Sequence, residues 1–204
     1  MAERPMYHDG MRELQDRFET RRLADRLEEV TLHTEFTDDD RAFIAGAPMF
    51  FLATADAAGQ PECSYKGGRP GFVRVVDART LAFPDYDGNG MYRSLGNVLV
   101  NPRVGLLFID FEKPRRLRVN GVADPREDDP LLTEFPGAAL VVRVRAERIF
   151  PNCPRYIHRM QPVELSPYAP GEGHTPPVPD WKRQTVFREV LPSRDRAREA
   201  PGER

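Results

Sequence analysis

Apolar and polar positions follow two rhythms along this chain, one helical and one extended. From His8 to Val30, the residues Met11, Leu14, Phe18, Leu23, Leu27 and Val30 recur close to a helical stripe, and Asp9 is available as an N-cap. This predicts one long amphipathic helix. A second, short helix is signalled by Thr37 with Asp40 three residues on, then Phe43 and Ile44, and it is closed by Gly46. The period then shortens to two. Met49 to Ala55 and Pro61 to Lys66 flank the turn Asp56-Ala57-Ala58-Gly59, and Phe72 to Val76 and Thr80 to Phe83 flank Asp77-Ala78-Arg79.

The helical period returns briefly at Met91, Leu95, Val98 and Leu99, preceded by Gly88-Asn89-Gly90 and stopped by Asn101-Pro102. Extended segments follow from Arg103 to Phe111, Arg115 to Ala123 and Ala138 to Phe150, with a short helix around Asp128 to Phe135 before the last. In that last run Leu140, Val142, Val144 and Ala146 alternate with Val141, Arg143, Arg145 and Glu147, one dry face and one wet. About six strands in hairpin order with one inserted helix predict a mainly β fold, a small closed or partly closed antiparallel barrel.

The expected divisions are helices over 1–47, which pack on the barrel or on a second copy, and a barrel over 48–150. A proline-rich ordered arm then covers 151–192, and a charged, disordered tail covers 193–204. A length of 204 residues suits one principal domain, and a net charge of −2 with interspersed signs offers no basic face for nucleic acid or anionic lipid. The charged N-terminus and the lack of a long apolar run predict a soluble, cytoplasmic protein. Cys63 and Cys153 lie far apart with no CxxC spacing, so neither a zinc site nor a disulfide is expected, and Cys153 reads as an inert packing residue.

Chemistry concentrates between Asp85 and Asn97. A helix start presents free N–H groups and partial positive charge, so Arg93 in the first turn is unfavourable unless an anion binds there or the side chain points to solvent. Ser94 adds a hydroxyl, and Gly88 and Gly90 permit close backbone approach. On the strand from Arg115, the side chains of Arg116, Arg118 and Asn120 share one face, either a basic stripe in solvent or a site for phosphate or a polar ring edge. Lys66 ends its strand beside two glycines, as a surface lysine or as a cation near a bound ring.

The string YRSLGNVLVNPRVGLLF, from Tyr92 to Phe108, resembles the phosphate-binding helix and following strand of the pyridoxamine 5′-phosphate oxidase-like flavoproteins. FFLATADAAGQPECSYKGG, GFVRVVDARTLAFPD and RRLRVNG extend the resemblance over roughly residues 40 to 125. It implies a six-stranded Greek-key split β-barrel and a homodimer with FMN at the subunit interface, acting as an oxidoreductase on a small molecule. It implies a phosphate-binding role for Arg93 and Ser94, and a strand along the flavin at Phe72, Val73, Arg74 and Val75. Arg116 stands where the family usually has Gln. Lys66, Tyr86, Asn89, Asn97 and Arg118 complete the expected cofactor set, with Tyr156 and His158 as flavin-proximal candidates. The C-terminal substrate signature of true pyridoxamine phosphate oxidases is missing, so vitamin B6 oxidation is not expected. A flavin or haem binding and sensing module without turnover, and a reductase using the deazaflavin F420, are the alternatives, because this barrel holds several cofactors.

Overall fold

The structure, a computed structural model, describes residues 5–198. In place of one long N-terminal helix it has two, α1 (Asp9–Arg17) and α2 (Arg21–Thr31). Glu19 adopts a positive φ of 56° between them, and the Arg21 guanidinium closes the turn on the Asp16 carboxylate at 2.5 Å. The helical stripe is therefore real but broken into a hairpin. Neither helix buries a residue, and Leu14, Phe18, Leu23 and Val30 all remain exposed.

α3 (Asp38–Gly46) starts as its sequence predicts, in a reciprocal capping box. The Thr37 hydroxyl accepts from the Asp40 N–H while the Asp40 carboxylate accepts from the Thr37 N–H. Asp40 also bonds the His33 ring at 2.8 Å. His33 in turn exchanges backbone bonds with Ile149, which fixes the N-terminal segment to the sheet.

Seven strands form one antiparallel sheet: β1 (Met49–Ala55), β2 (Pro61–Gly67), β3 (Arg74–Val75), β4 (Thr80–Tyr86), β5 (Arg103–Asp110), β6 (Arg115–Arg126) and β7 (Ala138–Pro151). Their order is β2-β1-β5-β6-β7-β4-β3, so the chain crosses from β4 to β5 through α4 (Arg93–Val100). The fold class is as expected, mainly β with flanking helices, although the strands number seven rather than six. Each of the seven extended segments read from the sequence forms a strand, the third shortened to the two residues of β3. Phe72 and Val73, expected to belong to this strand, are instead buried core residues preceding it.

Hydrogen bonding does not close the sheet on itself, since β2 and β3 are its edges. The apolar interior does the closing. Phe50 on β1 meets Phe83 on β4 at 5.0 Å edge-to-face, although three strands separate β1 from β4 in the sheet. Phe50 also touches Phe108 at 5.2 Å and Phe72 at 5.9 Å. Leu95 and Val98 of α4 join the same core.

The dry face of β7 changes side partway along. The pairing shifts beside Asn120 and Gly121, leaving Glu147 as an extra residue, so Ile149 rather than Arg148 turns inward. Gly121 is required there, because a Cβ would run into the Arg145 carbonyl. The predicted short helix after β6 is a 3₁₀ turn, Pro130–Glu134. The C-terminal arm holds two four-residue helices, α5 (Asp180–Arg183) and α6 (Thr185–Arg188). The tail expected to be disordered is folded back as far as it is described. Asp195 bonds Lys182 at 2.7 Å and Ala197 is buried, while residues 199–204 lie outside the described residues. No helix among the described residues is long and apolar enough to cross a membrane.

Burial alone would raise the pKa of Asp40, but the Thr37 hydroxyl, the Thr37 N–H and the His33 ring hold it below the ordinary carboxylate value. A carboxylate depressed in the folded state stabilises the fold above its unfolded pKa, near 3.9, and stops doing so as pH falls through the folded value. Asp40→Asn is therefore expected to cost about 1 kcal/mol at pH 7, the scale of a lost helix cap, and to converge with the parent in strong acid. Urea unfolding at neutral and acid pH measures both ends.

Candidate functional site

Alternation along β2 turns Glu62, Ser64 and Lys66 to the same side as Thr54, Leu52 and Phe50, their partners in register on β1. This is the interior side, which carries the core. At about 3.3 Å per residue the row from Glu62 to Lys66 spans about 13 Å. It borders the seam that no strand pairing closes.

Three side chains meet this row from across the seam. Arg93 donates from Nε and Nη2 to Glu62 Oε2 at 3.0 and 2.6 Å. Ser94 Oγ lies 3.0 Å from Ser64 Oγ, and Lys66 Nζ lies 3.7 Å from Asp85 Oδ1. Asn97, one turn further along α4, donates to the Thr54 hydroxyl at 3.2 Å. The sequence-predicted residues Lys66, Arg93, Ser94 and Asn97 are thus brought together. Glu62, Ser64 and Asp85 are members that sequence reasoning missed. Ser64 and Glu62 were accessible from the period of two counted back from Lys66, but the pairing of Glu62 with Arg93 has no local signal.

The electrostatics of this seam are balanced. Arg93 is mostly exposed, and its hydrogen bond to Glu62 keeps the glutamate carboxyl below its usual pKa. The charge conflict expected of an arginine at a helix start is therefore met by Glu62. Asp85 behaves oppositely: burial raises its pKa, and the nearby Lys66 ammonium only partly opposes this. The backbone before α4 is built for close approach, with Gly90 at φ 75° and Tyr92 at φ 48°. No side chain caps the helix start, and Asn89 Oδ1 accepts the Met91 N–H at 3.0 Å.

The other expected site residues lie elsewhere. Phe72 and Val73 are packed in the core, so only their backbone is free for a ligand. Arg74 pairs with Glu134 and stacks over the Phe135 ring at 4.8 Å. Burial raises the pKa of the Tyr86 phenol, with Arg74 opposing it. Val73, Arg74 and Val75 instead line a cleft of about 510 Å³ with Arg41, Ala45, Pro70 and Gly71. Tyr156 and His158 are exposed on the segment that Met160 ties to the β5–β6 turn through the Phe111 carbonyl, at 3.1 Å.

Arg116 and Arg118 occupy the opposite, outer face of the sheet. Register places Arg116 beside Ile109 and Arg118 beside Leu107, and Leu107 beside Phe51, whose partner is Tyr65. Within one chain they cannot join Arg93 and Ser94. Among the described residues neither arginine has a carboxylate within ion-pair distance, and Arg116 Nε is buried without a partner. Burial lowers the pKa of Arg118, and the adjacent Arg116 charge lowers it further.

Cys153 is exposed rather than packed, and Arg155 Nε donates to its Sγ at 3.1 Å. The Arg155 backbone N–H and guanidinium hold its thiol below the ordinary value. Among the described residues Cys63 has no such hydrogen bond. Iodoacetamide is expected to label Cys153 ahead of Cys63 near neutral pH, and Arg155→Ala is expected to narrow the gap, as followed by peptide mass spectrometry.

The sequence profile of the family described as pyridoxamine 5′-phosphate oxidase matches residues 36–165. No curated protein matches the chain. Among solved structures, HupZ of Group A Streptococcus is similar at 22% identity and a TM-score of 0.46, over 57% of this chain and 93% of that one. A Lactobacillus delbrueckii protein provisionally assigned as a pyridoxamine 5′-phosphate oxidase is 27% identical with a TM-score of 0.46, over 58% and 95%. HutZ, the heme storage protein of Vibrio cholerae, is 22% identical with a TM-score of 0.41, over 57% and 94%.

Proposed function

The chain belongs to the pyridoxamine 5′-phosphate oxidase family, and from that premise we propose that it is an FMN-dependent oxidoreductase acting on a small molecule as a homodimer. The observation that carries this reading is the unpaired Arg116–Arg118 couple on the outer face of β6. Two half-buried guanidinium groups side by side without an acid are costly, and a bound anion or a polar ring edge relieves that cost. The orphaned Nε of Arg116 is the fit that such a ligand requires.

In this reading Arg93 and Ser94, with Ser64 beneath them, hold the phosphate at the start of α4. Arg116 and Arg118 approach from a second copy, because their face is opposite to that of Arg93. The outer face also carries Phe51, Tyr65, Leu107 and Ile109, an apolar surface suited to that copy. FMN, when bound, supplies the hydride chemistry, and the protein supplies position and electrostatics. Lys66 places a cation at the inner end of the row, and Asp85 beside it is the carboxyl whose burial favours holding a proton. The Glu62 contact does not bar a phosphate from Arg93. An exposed ion pair contributes about 0–1 kcal/mol, less than a hydrogen bond from a guanidinium to a charged group.

Mass spectrometry of the small molecule released from the purified protein is expected to give FMN, with flavin absorption in the intact protein. A Soret band, or colourless protein that binds F420, would replace this reading with one of those cofactors. Arg93→Ala is expected to weaken FMN binding by about 1.5–3 kcal/mol, and Glu62→Gln to leave it unchanged or tighter. Arg93→Ala and Arg116→Ala proteins, each defective alone, are expected to regain FMN binding on subunit mixing, which regenerates one intact site per mixed dimer. No recovery would place both arginines in one chain's site or in none.

A further inference from the structure

Lys182 is 3% exposed, the one lysine among the buried residues described. Its ammonium bonds both Asp87 carboxylate oxygens at 2.8 and 2.6 Å and Asp195 at 2.7 Å. A buried ammonium is tolerable only when it is paired in this way, and removing its partners leaves an uncompensated charge. Burial pushes the Lys182 pKa down, but the two carboxylates outweigh burial and raise it, so the group stays charged. Asp195 is nearly buried too, whereas Asp87 is mostly exposed.

Where the tie lands is what matters. Asp87 is the first residue after β4, and the loop from Asp87 to Tyr92 leads directly into Arg93 and Ser94. The loop is otherwise weakly held. It contains Gly88 and Gly90, Met91 and Tyr92 are exposed, and its one internal bond runs from the Met91 N–H to Asn89. Among the described residues, the hydrogen bonds joining this loop to anything outside itself and α4 all come from Lys182.

The arm that carries Lys182 has contacts of its own, with the body of the fold and within itself. Pro170 lies against Gly137, the Arg69 side chain lies against Gly171, Trp181 meets Phe187 edge-to-face at 5.4 Å, and Leu191 and Ala197 are buried. Lys182 thus belongs to a folded arm, and Asp87 to a loop with few other bonds.

We propose that the C-terminal arm is part of the cofactor site, with Lys182 a positioning residue that holds the Asp87–Tyr92 loop in the shape that presents Arg93 and Ser94 to the ligand's phosphate. The proposal rests on the reading of α4 as the phosphate site and adds the element that orders it. Lys182 does not touch the ligand; it acts through Asp87. Without the tie the loop samples other shapes, and apparent affinity falls in proportion to the fraction of time spent in the competent one.

The test uses the full-length protein. FMN binding is measured by quenching of flavin fluorescence for the parent, for Lys182→Met and for Lys182→Met/Asp195→Asn, which removes the buried charges together and guards against simple misfolding. Both variants are expected to raise the FMN Kd about tenfold, as when the competent loop is populated a tenth of the time. Lys182→Arg, which keeps the charge, is expected to recover part of the loss. In the FMN-free proteins, hydrogen exchange of residues 86–92 is expected to speed up in both methionine variants while β5 and β6 stay protected. Folded variants that bind FMN like the parent, or whose loop exchanges like the parent's, would overturn the proposal. A parent that binds no FMN would overturn the site reading instead, and loop exchange would still report on the tie.

Discussion

The contact of Phe50 with Phe83 and Phe108 is the interaction on which the architecture turns. β1 and β4 are brought face to face by apolar burial alone, with no backbone pairing across the gap. An interior closed by side chains rather than by a hydrogen-bond ladder leaves a seam. Into that seam fit α4, through Leu95 and Val98, and the polar row of Glu62, Ser64 and Lys66. Had the edges β2 and β3 paired, backbone hydrogen bonds would have closed this seam, where the start of α4 carrying Arg93 now meets the row. The split in the barrel and the polarity of the site are one structural fact seen from two sides.

Several arginines of the sheet and its loops are neutralised across elements. Arg74, Arg93, Arg115 and Arg143 each meet a carboxylate on a neighbouring element, Glu134, Glu62, Asp39 and Asp129 respectively. Asp129 is fully buried, and its bond to Arg143 holds its pKa down. These pairs tie loops to strands and are complete within one chain. Arg116 and Arg118 break the pattern, since β6 carries them on a face whose neighbours on β5 and β1 are apolar. What sets the pair apart is that two guanidinium groups lie side by side, half-buried, with one Nε left without a partner.

Much of the fold was legible from residue spacing because its causes are local. The alternation in β6, with Leu117 and Val119 buried and Arg116 and Arg118 turned out, follows from the pleat. The Thr37–Asp40 capping box follows from two side chains three residues apart. What spacing could not reveal depended on distant partners. The stripe from Met11 to Val30 is close to helical in sequence, yet the helix breaks at Glu19, where the backbone takes a positive φ and Arg21 folds back onto Asp16. Phe72 and Val73 carry the composition of a strand, but Phe50 draws Phe72 into the core. The tail beyond Pro192 is too polar to predict order, yet Asp195 is recruited by a lysine thirteen residues upstream. The site was half visible for the same reason: Arg93 and Ser94 stand in one motif, whereas Glu62 and Asp85 reach it only through the fold.

β2 lies at an exposed margin of the sheet, where unsatisfied amides and carbonyls invite a stranger's strand to dock. Its inward-pointing Glu62 and Lys66 discourage that, because an intruder would have to bury both charges. The residues bordering the seam therefore also guard against self-association into fibrous aggregates. Removing either charge would leave this margin of the sheet open to pairing with another chain.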